Sequence, residues 1–213
     1  ALNKRNSFYP GVVRLDIWRR LPLRLRDLLI DAYRLILCAV VGAMTGIIAI
    51  AFRATVGGIE DVASAGSRKL TEMNQPLAAK FAIIGAPAVG GLIVGLLVYR
   101  IIRVRAGHGV PAVISAAAAD TPMCNWRMGY KAASSVITIG SGGSAGPEGP
   151  IVELGAVVGS YAWKLFRLPG QWVRIMMGCG AAAGIAAVFN VPLGGVIFVL
   201  DVVLRDHSLV FLL

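Results

Sequence analysis

Uncharged apolar runs alternate with polar ones along the chain, and their lengths set the first expectations. Residues 35–52 carry no charge. As a helix those 18 residues span about 27 Å, close to the hydrocarbon thickness of a bilayer. Residues 53–80 are polar, with four basic and three acidic side chains, and are expected to form an external loop. Residues 81–99 are again uncharged and end at Arg100, Arg103 and Arg105. Upstream, residues 1–34 hold eight Lys/Arg against three Asp. Their stretch LRLRDLLIDAYRLIL predicts an amphipathic helix leading into the bilayer and lying on its surface. The two basic ends belong on one side of the membrane, the cytoplasmic one.

Beyond Arg105 the runs are interrupted. GHGVPAVISAAAA is too short to span. Residues 132–163 are apolar but broken by SGGSAGPEGP, and they contain Glu148 and Glu153. Residues 175–200 are uncharged but interrupted at FNVP. Glycine and proline at membrane depth end helices and free backbone groups that lipid cannot satisfy, so such breaks must face protein or a wet cavity. Interrupted helices of this kind mark ion and substrate sites. Glycines recur at spacing four in Gly42/Gly46, Gly91/Gly95, Gly155/Gly159 and Gly180/Gly184, which allows close helix approach. With 26 glycines in the chain, abundance alone also produces such pairs.

Composition sharpens this picture. Of 213 residues, 57% are hydrophobic and only 15% charged. A single soluble core of this size cannot hide so much apolar surface, and disorder needs the opposite composition. Three cysteines, Cys38, Cys124 and Cys179, are too few for a disulfide scaffold. The fold class expected is all-α: a multi-pass integral membrane protein with broken helices. The net charge of +10 sits at the edges of apolar runs, so it reads as topology rather than nucleic-acid binding. No short apolar stretch ends in a signal-peptide cleavage site.

Three segments carry chemistry. GSGGSAGPEGP lacks the Lys of a phosphate loop. Gly149 and Pro150 instead open a helix whose first N–H groups and macrodipole favour an anion. Glu148 sits where that anion would bind and can imitate it; the alternative is a structural carboxylate at the helix start. Gly107-His108-Gly109-Val110-Pro111 repeats the design. His108 either donates to an anion or titrates near neutrality, or lies exposed in a surface turn. In the third segment, two apolar helices meet at Asn190-Val191-Pro192, because Pro192 disfavours helix at the residue before it.

Together and in this order, these segments resemble the CLC family of chloride channels and chloride/proton antiporters, over about residues 35–206. GHGVP resembles the family's GSGIP-type motif, GPEGP its G[KR]EGP motif, and AAAGIAAVFNVPLGGVIFVLD the stretch ending at its internal acidic position. The resemblance implies the first half of an inverted-repeat fold, with chloride as the transported ligand and no other cofactor. It implies anion-binding positions at Gly107, His108, Gly109, Val110, Pro111, Gly146, Glu148, Gly149 and Pro150, with Glu148 as the gate. It implies homodimers in the bilayer, in the cell (inner) membrane, with residues 1–34 cytoplasmic and 35–213 forming an incomplete pore domain. The second half would supply a GxFxP motif and a pore tyrosine, so a further segment or chain is expected to complete the path.

Three departures bear on mechanism. His108 stands where the family places a chloride-coordinating serine. Pro147 replaces the basic residue before the gate, and Lys131, matching an interior lysine of the family, is expected to supply part of that field; otherwise it snorkels at a helix end. Val202 falls on the internal proton-transfer glutamate, with Asp201 one position earlier. The expectation is therefore a passive, Glu148-gated chloride channel. Its rivals are a chloride/proton antiporter and a non-conducting half-subunit. No metal cluster or paired nucleophile suggests an enzyme.

Overall fold

The computed structural model describes residues 23–73, 75–102, 109–125 and 127–204. Seven α-helices follow in order: α1 (Leu23–Glu72), α2 (Pro76–Leu97), α3 (Val110–Ala118), α4 (Arg127–Gly140), α5 (Glu148–Leu165), α6 (Trp172–Phe189) and α7 (Pro192–Phe198). Two π-helical stretches, Val98–Ile102 and Val199–Leu204, extend α2 and α7. No strand occurs among the described residues.

The first 50 described helical residues form one rod of about 75 Å, far longer than a bilayer is thick. The amphipathic segment is helical from Leu23 and leads on with no break at Arg34. One expectation is corrected. The polar stretch 53–80 is helical through Glu72, and the turn falls just before Pro76. Low hydropathy there does not mean low helicity. Ala, Arg, Lys, Glu and Leu in that stretch are good helix formers. Its hydroxyls also fold back onto the helix, as in Thr55 Oγ1 to the Ala51 carbonyl at 2.7 Å and Thr71 Oγ1 to the Ser67 carbonyl at 2.9 Å.

The predicted breaks occur where glycine and proline placed them. α4 stops at Gly140, and α5 begins after Pro147. α6 stops at Asn190, whose φ of 60° is left-handed, a conformation asparagine tolerates. Pro192 then opens α7, where its missing N–H costs nothing.

The core lies between α5 and α6. On α5, Val152 and Ala156 are fully buried; on α6, Val173, Met176, Met177 and Ala181 are. Two of the four glycine pairs make this contact. A Cβ on Gly155 would land on the Gly180 carbonyl, and one on Gly159 on the Met176 carbonyl. The helices therefore touch backbone to backbone, which small residues alone permit. Gly91 and Gly95 on α2, by contrast, have nothing within 4 Å.

Among the described residues, three helical segments are long and apolar enough to cross a membrane: Ala32–Glu72, Leu77–Arg100 and Trp172–Phe189. α2 presents large exposed apolar side chains, including Phe81, Ile84, Leu92 and Leu96. Against water such a surface would be unfavourable; against lipid it is not.

Candidate functional site

The two short helices that follow glycine–proline segments bring their N-termini together. Gly109 caps α3 with φ 68° and ψ −141°, a conformation that L-residues rarely adopt. Ala112 and Val113 donate their N–H groups back to its carbonyl, at 3.1 and 3.4 Å. A Cβ on Gly109 would meet the Gly149 Cα at 3.0 Å, so the close approach depends on glycine at 109, whereas a Cβ on Gly149 would make an ordinary contact at 3.5 Å. Gly149 lies in the first turn of α5, with Glu148 before it and Pro150 after it.

Each helix end carries a partial positive charge and N–H groups without intrahelical partners. Two such ends side by side repel unless negative charge lies between or beside them. The structure supplies it with Glu153, a turn further along α5. Its Oε2 accepts the Gly109 N–H at 3.0 Å, and its Oε1 lies 3.2 Å from the Lys131 ammonium. Glu153 is 6% exposed and Lys131 7%, so the ion pair is buried. Lys131 therefore points into the bundle and does not snorkel outward.

Glu148 is arranged differently. It is exposed and lies in the first turn of its helix. Its carboxylate folds back over Gly146, where any Cβ would collide with Oε2. Gly146 thus makes room for the acid. Pro147 caps α5 through its backbone alone, with φ −74° and ψ −10°.

A cavity of about 610 Å³ opens beside this junction, lined by Pro111, Ser115, Thr121, Asn125, Met128 and Lys131. The loop between α3 and α4 is fastened to the bundle from behind: the Met123 N–H donates to Ser160 Oγ at 3.0 Å, and that hydroxyl donates to the Ala156 carbonyl at 2.9 Å. Asp201 and Val202 lie on the π-helical end of α7, Asp201 exposed and Val202 half-buried. That stretch packs against α3 and α6, so α-helical spacing does not describe its faces. Gly107 and His108 fall outside the described residues.

The site thus joins Gly109, Gly149, Lys131 and, unforeseen from sequence, Glu153. One signal was available for it. Between residues 128 and 163 the only charged side chains are Lys131, Glu148 and Glu153, one base and two acids in an otherwise uncharged stretch.

The voltage gated chloride channel family matches residues 90–213, more than half of the chain and all of this site. The chain belongs to that family. A solved structure described as a slow cyanobacterial Cl⁻/H⁺ antiporter matches with a TM-score of 0.68 at 26% identity. The match covers 83% of this chain and 42% of that one, so the chain spans less than half the length of this relative. As a member of the voltage-gated chloride channel family with apolar helices of membrane-spanning length, it is an integral membrane protein. The broken helices α3 to α7 carry the family's architecture.

Proposed function

We infer that this chain contributes an anion path through the membrane, with chloride as its ligand and Glu148 as its gate. The observation that carries the reading is the contact of two helix N-termini at Gly109 and Gly149, beside the exposed Glu148 carboxylate. Converging N–H groups and dipoles stabilise an anion without a metal or a mobile cation. A carboxylate at the same helix end competes with that anion, and its protonation removes the competitor. Glu153 takes the Gly109 N–H, so the Val110 backbone is left to hold the anion even where His108 stands in place of a serine.

The complete path draws on a segment or chain equivalent to the second half of the solved relative. Assembly as a homodimer, in the cell (inner) membrane with the N-terminus cytoplasmic, belongs to the same proposal. Flow is passive in this reading, because Val202 offers no proton acceptor at the internal position. A second reading, coupled chloride/proton exchange, is favoured by the relative described as an antiporter.

The test is chloride efflux from liposomes containing the protein expressed from its full coding sequence. Glu148→Gln should leave efflux high and indifferent to external pH from acid to neutral, whereas the unmodified protein should respond to pH. Equal pH responses in both proteins would refute the gate. Proton uptake driven by a chloride gradient would decide for the second reading.

A further inference from the structure

The Lys131–Glu153 pair needs an explanation that stability does not give. Burying two charges costs several kcal/mol per ion before their attraction offsets it, and well-packed apolar residues often do as well. The pair nevertheless lies at 7% and 6% exposure, and Glu153 reaches past Lys131 to the α3 N-terminus. It therefore occupies a backbone donor that belongs to the anion-binding end of α3.

We propose that Glu153 is the positioning residue of the anion site and that, paired with Lys131, it sets the affinity for the anion. Three consequences of the geometry support this. By accepting the Gly109 N–H, Glu153 pins the cap of α3 against Gly149, which fixes the separation of the two helix ends. By taking that N–H, it leaves an incoming anion the neighbouring donors, so the anion's position is set by which N–H is already occupied. By pairing with Lys131, it cancels the one cation that is buried at the junction among the described residues. The helix ends then attract an anion without that extra charge, strongly enough to bind it and weakly enough to release it.

This inference rests on the anion-path reading and deepens it. Its signature is opposite effects from the two partners. Glu153→Gln keeps an oxygen able to accept the Gly109 N–H but leaves the Lys131 charge uncancelled. Lys131→Met leaves an uncancelled carboxylate facing the anion. The two contacts in series place each charge within about 10 Å of the α3 N-terminus, where one unit charge at an effective dielectric of about 20 changes an anion's affinity roughly tenfold.

The experiment is titration calorimetry with chloride on the protein from its full coding sequence, for the unmodified protein, the two single variants and the double variant. Glu153→Gln should tighten the Kd about tenfold and Lys131→Met weaken it about tenfold. The double variant should fall between them. If Lys131→Met does not fold, Glu153→Gln against the double variant carries the test, since restoring neutrality must weaken the Kd again. Shifts of both single variants in the same direction, or a Glu153→Gln affinity no tighter than the unmodified protein's, would show that the pair is merely structural. No chloride binding by the unmodified protein would instead overturn the anion-path reading, and this inference with it.

Discussion

A single methyl group at Gly155 should separate α5 from α6. Built on the backbone, the Cβ of Gly155→Ala lies 2.6 Å from the Gly180 carbonyl carbon and 2.9 Å from the Ala181 nitrogen. Both neighbours are helix backbone, so neither can rotate away. The Gly180 carbonyl oxygen lies closer still, so ordinary contact requires the helices to part by more than 1 Å. A gap of 0.5–1 Å forfeits a quarter to a half of each dispersion contact. With about 40 atom pairs at ~0.15 kcal/mol, the loss is roughly 2 kcal/mol, and overpacking strain brings the total to about 3 kcal/mol. Alanine returns about 1 kcal/mol through its better helix propensity. The net cost is about 2 kcal/mol, or a fall of about 4–8 °C in the unfolding temperature. The assay is thermal unfolding of the purified protein in mild detergent, with Gly91→Ala as the control. Gly91 is also helical but has nothing within 4 Å, so its alanine variant should be neutral or slightly stabilised. Equal unfolding temperatures for the two variants would refute the backbone contact between α5 and α6.

Other expectations follow from the same structure. Ser160→Ala removes the acceptor of the buried Met123 N–H and should lower stability by about 1–3 kcal/mol, measured by the same thermal assay; an unchanged midpoint would mean that the α3–α4 loop has another anchor. Cys38 on α1 and Cys179 on α6 lie with their sulfurs 3.4 Å apart, so an added mild oxidant should join them in one intramolecular disulfide, read by mass spectrometry and abolished by Cys38→Ser. Gly109→Ala forces a side chain into a left-handed cap and against Gly149, and should abolish chloride binding while Gly46→Ala, in open space, preserves it. If exchange with protons does occur, Asp201→Asn should leave chloride flux intact but end proton uptake; continued proton uptake in that variant would place the proton route elsewhere.

What the sequence determined is what short-range chemistry determines. The breaks before Glu148 and Pro192 were legible because glycine, proline and asparagine act on their own backbone and immediate neighbours. The membrane-spanning character of α1 and α2 was legible because solvation depends on composition summed over one segment. The same summing concealed the helix beyond Phe52, since polar residues lower hydropathy without opposing helical hydrogen bonds. The glycine pairs looked alike along the chain, yet Gly155/Gly159 and Gly180 carry a helix contact while Gly91/Gly95 meet nothing, because only packing decides which face has a neighbour. Lys131 and Glu153, separated by 22 positions, became a pair only when α4 and α5 buried both side chains in the same space beside Gly109. Periodicity and motifs carry no such information: attraction between two charges depends on their distance through space and on the exclusion of water, and both are set by how the helices assemble.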